Sequence, residues 1–324
     1  MQFLLIFACT AAAIVLICYT LLRVFFYRFM GPCHGDMEKD LKKFEEKLSE
    51  TPLADKIPEL CEGRLWVRQK PHEDLYLTSA DGVRLHARFY ASPSHTDTTI
   101  VLCHGWRSQG DHDFGCICPW YSGRGYNILI IDQRAHGKSQ GRYITFGAFE
   151  KYDIRDWCNL MASRDPDEKI LLGGISMGCA SALLAAQLPD MTPRLKGVIA
   201  DCGYSNAYDE LHYVLSPADH LWQRILLRST VDLCRRKAGW DPHDVDTVKN
   251  INGIKASVLF IHGQKDNFVP CSSSEKNFEA FHGKKILLTV PGAGHGMSWL
   301  TDEPRCKKVL SEFLDSVQTV EDKR

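Results

Sequence analysis

A serine lies between two glycines in Gly174-Ile175-Ser176-Met177-Gly178, after the apolar run Ile170–Leu172 and before the alanine-rich stretch Cys179–Leu188. In a strand–turn–helix setting this pattern marks a nucleophile on a tight, strained turn. Gly174 and Gly178 supply the small flanks that such a turn demands. A serine hydroxyl is a weak nucleophile at neutral pH and needs a base. His295, in Pro291-Gly-Ala-Gly-His-Gly296, is the candidate. An acid must orient that imidazole and stabilise its cation. Asp266 fits, in His262-Gly-Gln-Lys-Asp266, just after the apolar run Val258–Ile261. The chemistry is acyl transfer, which also needs donors for a developing oxyanion. The backbone N–H of Met177 is one candidate. The loop His104-Gly105-Trp106 offers the other, Trp106 N–H, with Gly105 allowing close approach. The Trp106 side chain is also a candidate wall of the pocket.

Rival groups exist. Asp132 and His136 also follow a strand-like run, in Asp132-Gln-Arg-Ala-His-Gly-Lys-Ser139, but they precede the serine and read as structural. Asp201 is the fallback acid. His262 reads as a packing histidine, and His104 as one that orders its own loop.

These residues need a rim on which to converge. Short runs, apolar on both faces, alternate with helix-like segments: Thr99–Cys103, Ile128–Ile131, Ile170–Leu172, Val198–Ala200, Val258–Ile261 and Ile286–Val290. That pattern predicts a doubly wound parallel sheet, with ligand groups beyond the carboxyl ends of its strands. Two alternating segments joined at Asp81-Gly82, His72–Ser79 and Val83–Ala91, predict an opening hairpin. The gap between Ala200 and Val258 is too long for a bare loop. Tyr208–Ala238 reads as helical, so a cap inserted over residues 204–250 is expected, with exit turns at Asp241-Pro242 and Asn252-Gly253. The order serine, aspartate, histidine is the one such a sheet uses.

Phe3–Leu22 is uncharged over 20 residues. As a helix it spans about 30 Å, the thickness of the hydrocarbon layer. Arg23 and Arg28 follow at once, which predicts an anchor with the catalytic body in the cytoplasm. A cleaved signal peptide would need a basic start and a shorter apolar core. Met37–Leu60 is charged and helix-like, a stalk or packing helix. Thirteen scattered cysteines show no disulfide framework and suit a reducing compartment. Cys116-x-Cys118 near His112 lacks a second ligand pair, so no metal site is assigned. The net charge of −1, with no basic stripe, gives no reason to expect nucleic acid as a partner. The oligomeric state is not legible.

With these motifs the chain resembles the α/β-hydrolase superfamily over about Pro71–Val317, and within it bacterial membrane-anchored serine hydrolases of lysophospholipase-like or serine-aminopeptidase-like type. The resemblance implies an α/β-hydrolase fold: an eight-stranded, mostly parallel sheet with helices on both faces and a helical cap. It also implies a Ser176–Asp266–His295 triad and no metal or organic cofactor. The expected divisions are residues 1–30 as anchor, 31–70 as stalk or packing helix, 71–203 and 251–324 as core, and 204–250 as cap. Serine at the elbow argues against the dehalogenase and epoxide hydrolase branches, which need a carboxylate there. A single glycine after His104 departs from hormone-sensitive-lipase-like esterases. Cys179, where prolyl-oligopeptidase-like enzymes commonly carry a second glycine, lowers the case for a peptidase.

The expected substrate is a small acyl compound, an ester or thioester, with a lipid-derived one favoured by the anchor. A peptidase or amidase with the same triad is the alternative, and an idle binding protein a distant third. Tyr208, Tyr213, Leu215, Leu221, Trp222, Ile225 and Leu226 are candidates to line an acyl pocket or to pack the cap. Arg224, Arg228, Arg235, Arg236 and Lys237 are candidates to meet headgroups, or simply form a solvated face.

Overall fold

The computed structural model describes residues 1–35, 38–94 and 96–318. Met37, where the charged, helix-like stretch was expected to begin, and residues 319–324, at the end of the core segment, lie outside the described residues.

The strands are β1 (Glu73–Thr78), β2 (Arg84–Tyr90), β3 (Thr98–Cys103), β4 (Asn127–Asp132), β5 (Lys169–Ile175), β6 (Leu195–Asp201), β7 (Ser257–Gly263) and β8 (Lys285–Val290). They form one sheet in the order β1-β2-β4-β3-β5-β6-β7-β8. β1–β2 and β2–β4 are antiparallel; every other pair is parallel. β3 is buried at all six positions, as strands covered on both faces must be.

The helices are α1 (Gln2–Met30), α2 (Glu38–Ser49), α3 (Ile57–Gln69), α4 (Gly110–Phe114), α5 (Cys118–Gly123), α6 (Glu150–Arg164), α7 (Met177–Ala186), α8 (Ala207–Leu215), α9 (Leu221–Leu233), α10 (Ser272–Ala280), α11 (Ser298–Thr301) and α12 (Glu303–Gln318). One sheet face packs on α6 and α7 through Trp157, Met161, Leu183 and their neighbours. The other packs on α3, α5 and α12 through Val67, Tyr121, Leu310 and Phe313. Every residue of α7 is buried, which explains its alanine-rich composition between two strands.

Tyr208–Ala238 is not one helix. α8 and α9 are separated at Ser216–His220, and a π-helical turn, Cys234–Ala238, closes the segment. Pro217 lacks an N–H and fixes its own φ, and Asp219 adopts a left-handed φ of 52°, so the helix cannot continue there.

The last turns of α1 are part of the folded body. Phe26 and Met30 are buried with Leu227 and Val231 of α9. Met30 O accepts from Ile144 N at 2.7 Å, and Cys33 N donates to Ala135 O at 2.7 Å. α2 and α3 likewise pack on the body rather than standing off it: Leu48 and Leu60 form a small core with Leu300. Truncating Met30, whose surface is 0% exposed, to alanine is expected to cost about 2–5 kcal/mol. Thermal unfolding in detergent checks this. An unchanged midpoint would mean that the end of α1 lies outside the cooperative core.

Candidate active site

Ser176 occupies the turn between β5 and α7 with φ 57° and ψ −119°. Such a backbone is strained for a residue with a Cβ, and it persists only where its surroundings enforce it. They do. A Cβ on Gly174 would come within 2.4 Å of Gly178 O, and one on Gly178 within 2.0 Å of Cys103 O. The turn therefore closes only with glycine on both sides of the serine. Ser176 N donates to Asp201 O at 2.9 Å, fastening the turn to the end of β6.

The structure brings the three polar candidates into contact. His295 Nε2 lies 2.9 Å from Ser176 Oγ, and His295 Nδ1 lies 2.7 Å from Asp266 Oδ2. With Nδ1–H donating to the carboxylate, Nε2 is left to accept the serine proton. Asp266 Oδ1 accepts from Phe268 N at 2.8 Å and Val269 N at 2.9 Å. Burial works to raise the Asp266 pKa, but hydrogen bonds from His262 and His295 outweigh it and hold the carboxyl well below its usual range. It is therefore a fixed anion beside the imidazole.

The rivals other than Asp201 are engaged elsewhere. Asp132 accepts from His86 Nδ1 and Lys138 N. His136 Nε2 accepts from Arg107 N at 3.0 Å, and Nδ1 donates to Arg134 O at 3.0 Å. Burial, with His104 second, pushes His136 down to about 3 and keeps it neutral. His104 orders its own loop through Gly105 O and Gln133 N. His262 is buried against Ser274 Oγ and Val269 O. Asp201 sits beside the site, yet its Oδ1 has no hydrogen-bond partner among the described residues. Burial first, then the charge of Asp266, pushes its pKa up to about 6, against the pull of His262 and His295. His112 Nδ1 lies 2.8 Å from Asp113 Oδ1.

The loop after β3 is drawn in towards the serine. A Cβ on Gly105 would lie 3.5 Å from Ser176 Cβ. Asp113, a residue the sequence reading did not single out, accepts from Gly105 N at 2.6 Å and from Ser108 Oγ at 2.6 Å, pinning the loop. Trp106 follows. Its indole N–H donates to Phe29 O at 3.1 Å, and its ring packs on Phe29 with centroids 4.6 Å apart. Met177 is the first residue of α7, so its N–H belongs to the helix end that favours negative charge.

A cavity of about 340 Å³ opens on Ser176 and His295 and descends on the α3, α5 and α12 side of the sheet. Leu60, Phe114, Tyr121, Ile199, Trp299 and Leu310 are among its walls, and Phe44 of α2 reaches it as well. None of the seven residues named as candidates either to line an acyl pocket or to pack the cap lines the two cavities that reach Ser176. Leu221, Trp222, Ile225 and Tyr213 face outward. Tyr208 stacks on His243 at 4.0 Å, and Leu215 is buried within the cap. The cap instead turns Glu210, Leu211 and Val214 of α8 towards the serine, around a small second cavity shared with Phe29 and Phe146.

Glu210 is the acid of that second cavity. It is buried, and its Oε1 has no hydrogen-bond partner among the described residues. Burial, with the charge of Asp266 second, pushes it up to about 8.

With the fold and this geometry established, comparison with known proteins defines the class. Residues 94–238 match the family model described as serine aminopeptidase, S33, and residues 220–323 match the model described as TAP-like protein. The Bacillus subtilis protein YqkD is 29% identical over 230 residues, covering 71% of this chain and 75% of that one. The esterase Pf2001 of Pyrococcus furiosus superposes with a TM-score of 0.62 at 21% identity, covering 78% of this chain and 93% of that one. The acylaminoacyl peptidase of Pyrococcus horikoshii superposes with a TM-score of 0.57 at 16% identity, over 78% of this chain and 43% of that one. The chain belongs to the α/β-hydrolase superfamily.

Glu210 yields a prediction with a definite sign. An unfolded glutamate titrates near 4.3, and the folded one near 8. The folded state thus holds the proton longer, so this group's contribution to stability is full below about pH 4.3 and is lost as pH rises towards 8. Glu210→Gln is expected to remove that decline, raising the unfolding midpoint at pH 8 relative to wild type while changing it little at pH 4. Parallel pH dependences for the two proteins would refute the buried acid.

Proposed function

We propose that this chain is a serine hydrolase that cleaves carboxylic esters or thioesters of apolar acyl compounds. In this reading Ser176 is the nucleophile, His295 the base and then the acid, and Asp266 the group that orients and stabilises the imidazolium. The backbone N–H groups of Met177 and Trp106 receive the oxyanion. The observation that carries the proposal is the contact chain from Ser176 Oγ through His295 to Asp266, at the mouth of an apolar cavity.

The steps follow from that geometry. Ser176 Oγ attacks the acyl carbon as its proton passes to His295 Nε2. The tetrahedral intermediate collapses when His295 returns that proton to the leaving oxygen or sulfur. Water, deprotonated by the same nitrogen, then adds to the acyl carbon, and His295 returns the proton to Ser176 Oγ as the acid is released. The apolar cavity suits the acyl chain, which gains about 0.8 kcal/mol for each methylene removed from water.

The proposal includes a membrane anchor. α1 is long and apolar enough to cross a bilayer. Arg23 and Arg28 on the side of the body favour a cytoplasmic orientation, and all thirteen cysteines are free, as suits a reducing compartment.

A peptidase reading has its own support in the serine aminopeptidase match and in the likeness to an acylaminoacyl peptidase. A panel of acyl esters set against aminoacyl and peptidyl amides of matched leaving-group reactivity separates the two. The ester reading predicts faster turnover of the esters, rising with acyl chain length until the cavity is full. Faster turnover of the amides would replace it with the peptidase.

The acid assignment has a sharper test. Asp266→Asn is expected to lower kcat by about 10⁴, the loss seen when the acid of a serine triad becomes an amide. Asp201→Asn is expected to have a far smaller effect. If the Asp201 variant is the more damaged, the assignment moves to that residue.

A further inference from the structure

α9 carries two faces of different character. Leu227 and Val231 are buried in the cluster that holds Phe26 and Met30 of α1, and α9 packs directly on α1. Leu221, Trp222 and Ile225 project the other way and are 75%, 62% and 56% exposed. At 3.6 residues per turn these three lie within about 100° of one another. Arg224 and Arg228, both exposed, border the arc on one side, and Arg224 is held by Asp219. Large aliphatic and indole groups grouped on one side of a helix and flanked by arginines need a partner that is apolar within and anionic at its edge.

The location of α9 says what that partner is. The uncharged stretch of α1 ends at Leu22, and the helix then enters the body: Leu22 and Phe25 already pack on the cluster that contains α9. From Leu22 to Phe29 the rise is about 10 Å. Phe29 lines the small cavity at Ser176 and accepts the Trp106 indole hydrogen bond. Arg107 Nη1 donates to Arg28 O at 3.1 Å and strengthens the same junction. The body is therefore fixed to the end of the span rather than tethered at a distance, and α9 runs beside the point of exit.

We propose that the exposed face of α9 is a second membrane contact, with Leu221, Trp222 and Ile225 set among the lipid chains beside α1 and with Arg224 and Arg228 at the level of anionic headgroups. It rests on the reading of α1 as a membrane span and not on the assignment of the triad. Such a contact would fix the tilt of the body about α1 and hold the cap against the lipid surface. A lipid-derived substrate would then reach Ser176 without crossing bulk water.

The test uses the full chain in vesicles of phosphatidylcholine and phosphatidylglycerol, with and without bromine on the acyl chains. The Trp222 signal is the wild-type emission minus that of Trp222→Phe, a change at an exposed position that leaves the core untouched. The contact predicts that brominated lipid lowers this difference signal by about twofold or more, and that aqueous acrylamide quenches it poorly. Full quenching by acrylamide with no effect of bromine would overturn the proposal in favour of a solvated face. Protection from both quenchers would overturn it in favour of a protein partner, including a second copy of the chain. Alkaline extraction of the same vesicles checks the underlying span: release of the chain would end both ideas. Because no arm depends on turnover, failure of the hydrolase reading would leave this result intact.

Discussion

The left-handed backbone at Ser176 is the constraint on which the rest of the site depends. It can be held only because β5, the start of α7 and the end of β3 approach so closely that glycine alone fits at positions 174 and 178. That closeness requires the fully buried β3 and the small residues of α7. Once the turn is closed, the hydroxyl stands at the carboxyl edge of the sheet. The loops after β7 and β8 then need only to deliver Asp266 and His295 to the same edge. The strain is offset by the sheet as a whole, so the elbow is a product of the fold rather than a local motif.

Electrostatics divides the acids around this edge by what each is bonded to. Asp266 receives two backbone N–H groups and two imidazoles, and it remains an anion despite burial. Glu210, buried, and Asp201, half-buried, lack such a set of donors, and their pKa values rise. Three carboxyls in one neighbourhood thus differ in how readily they take up a proton, according to the donors each one has. Glu210 brings an acid that holds its proton up to about pH 8 into an otherwise apolar cavity beside Ser176. A group of that kind can hydrogen-bond a substrate acceptor that a charged carboxylate would repel.

Much of this was legible in the sequence. The strands announced themselves as runs apolar on both faces, because a covered parallel sheet has no solvent side. Ser176, Asp266 and His295, which the fold brings into contact, could be singled out because each follows the end of a strand, at the rim where such sheets place ligands. What was not legible depends on packing between segments distant in sequence. Asp113, in α4, pins Gly105 from eight residues further along the chain, a contact that no period encodes. Phe44 and Leu60 lie in the charged, helix-like stretch read as a stalk or packing helix; that they help to wall the cavity depends on how α2 and α3 fold back onto the body. In the cap, composition identified apolar residues but not the register that decides which of them face inward. The outward set includes Leu221 and Trp222, and the inward set is Glu210, Leu211 and Val214.

The central claim is that one imidazole activates one hydroxyl. Peptide mapping of the covalent adduct left by a fluorophosphonate tests it most directly, with wild type beside His295→Ala. The account predicts a single modified residue, Ser176, and loss of the adduct when the imidazole is removed. An adduct on another serine, or equally fast labelling without His295, would contradict it.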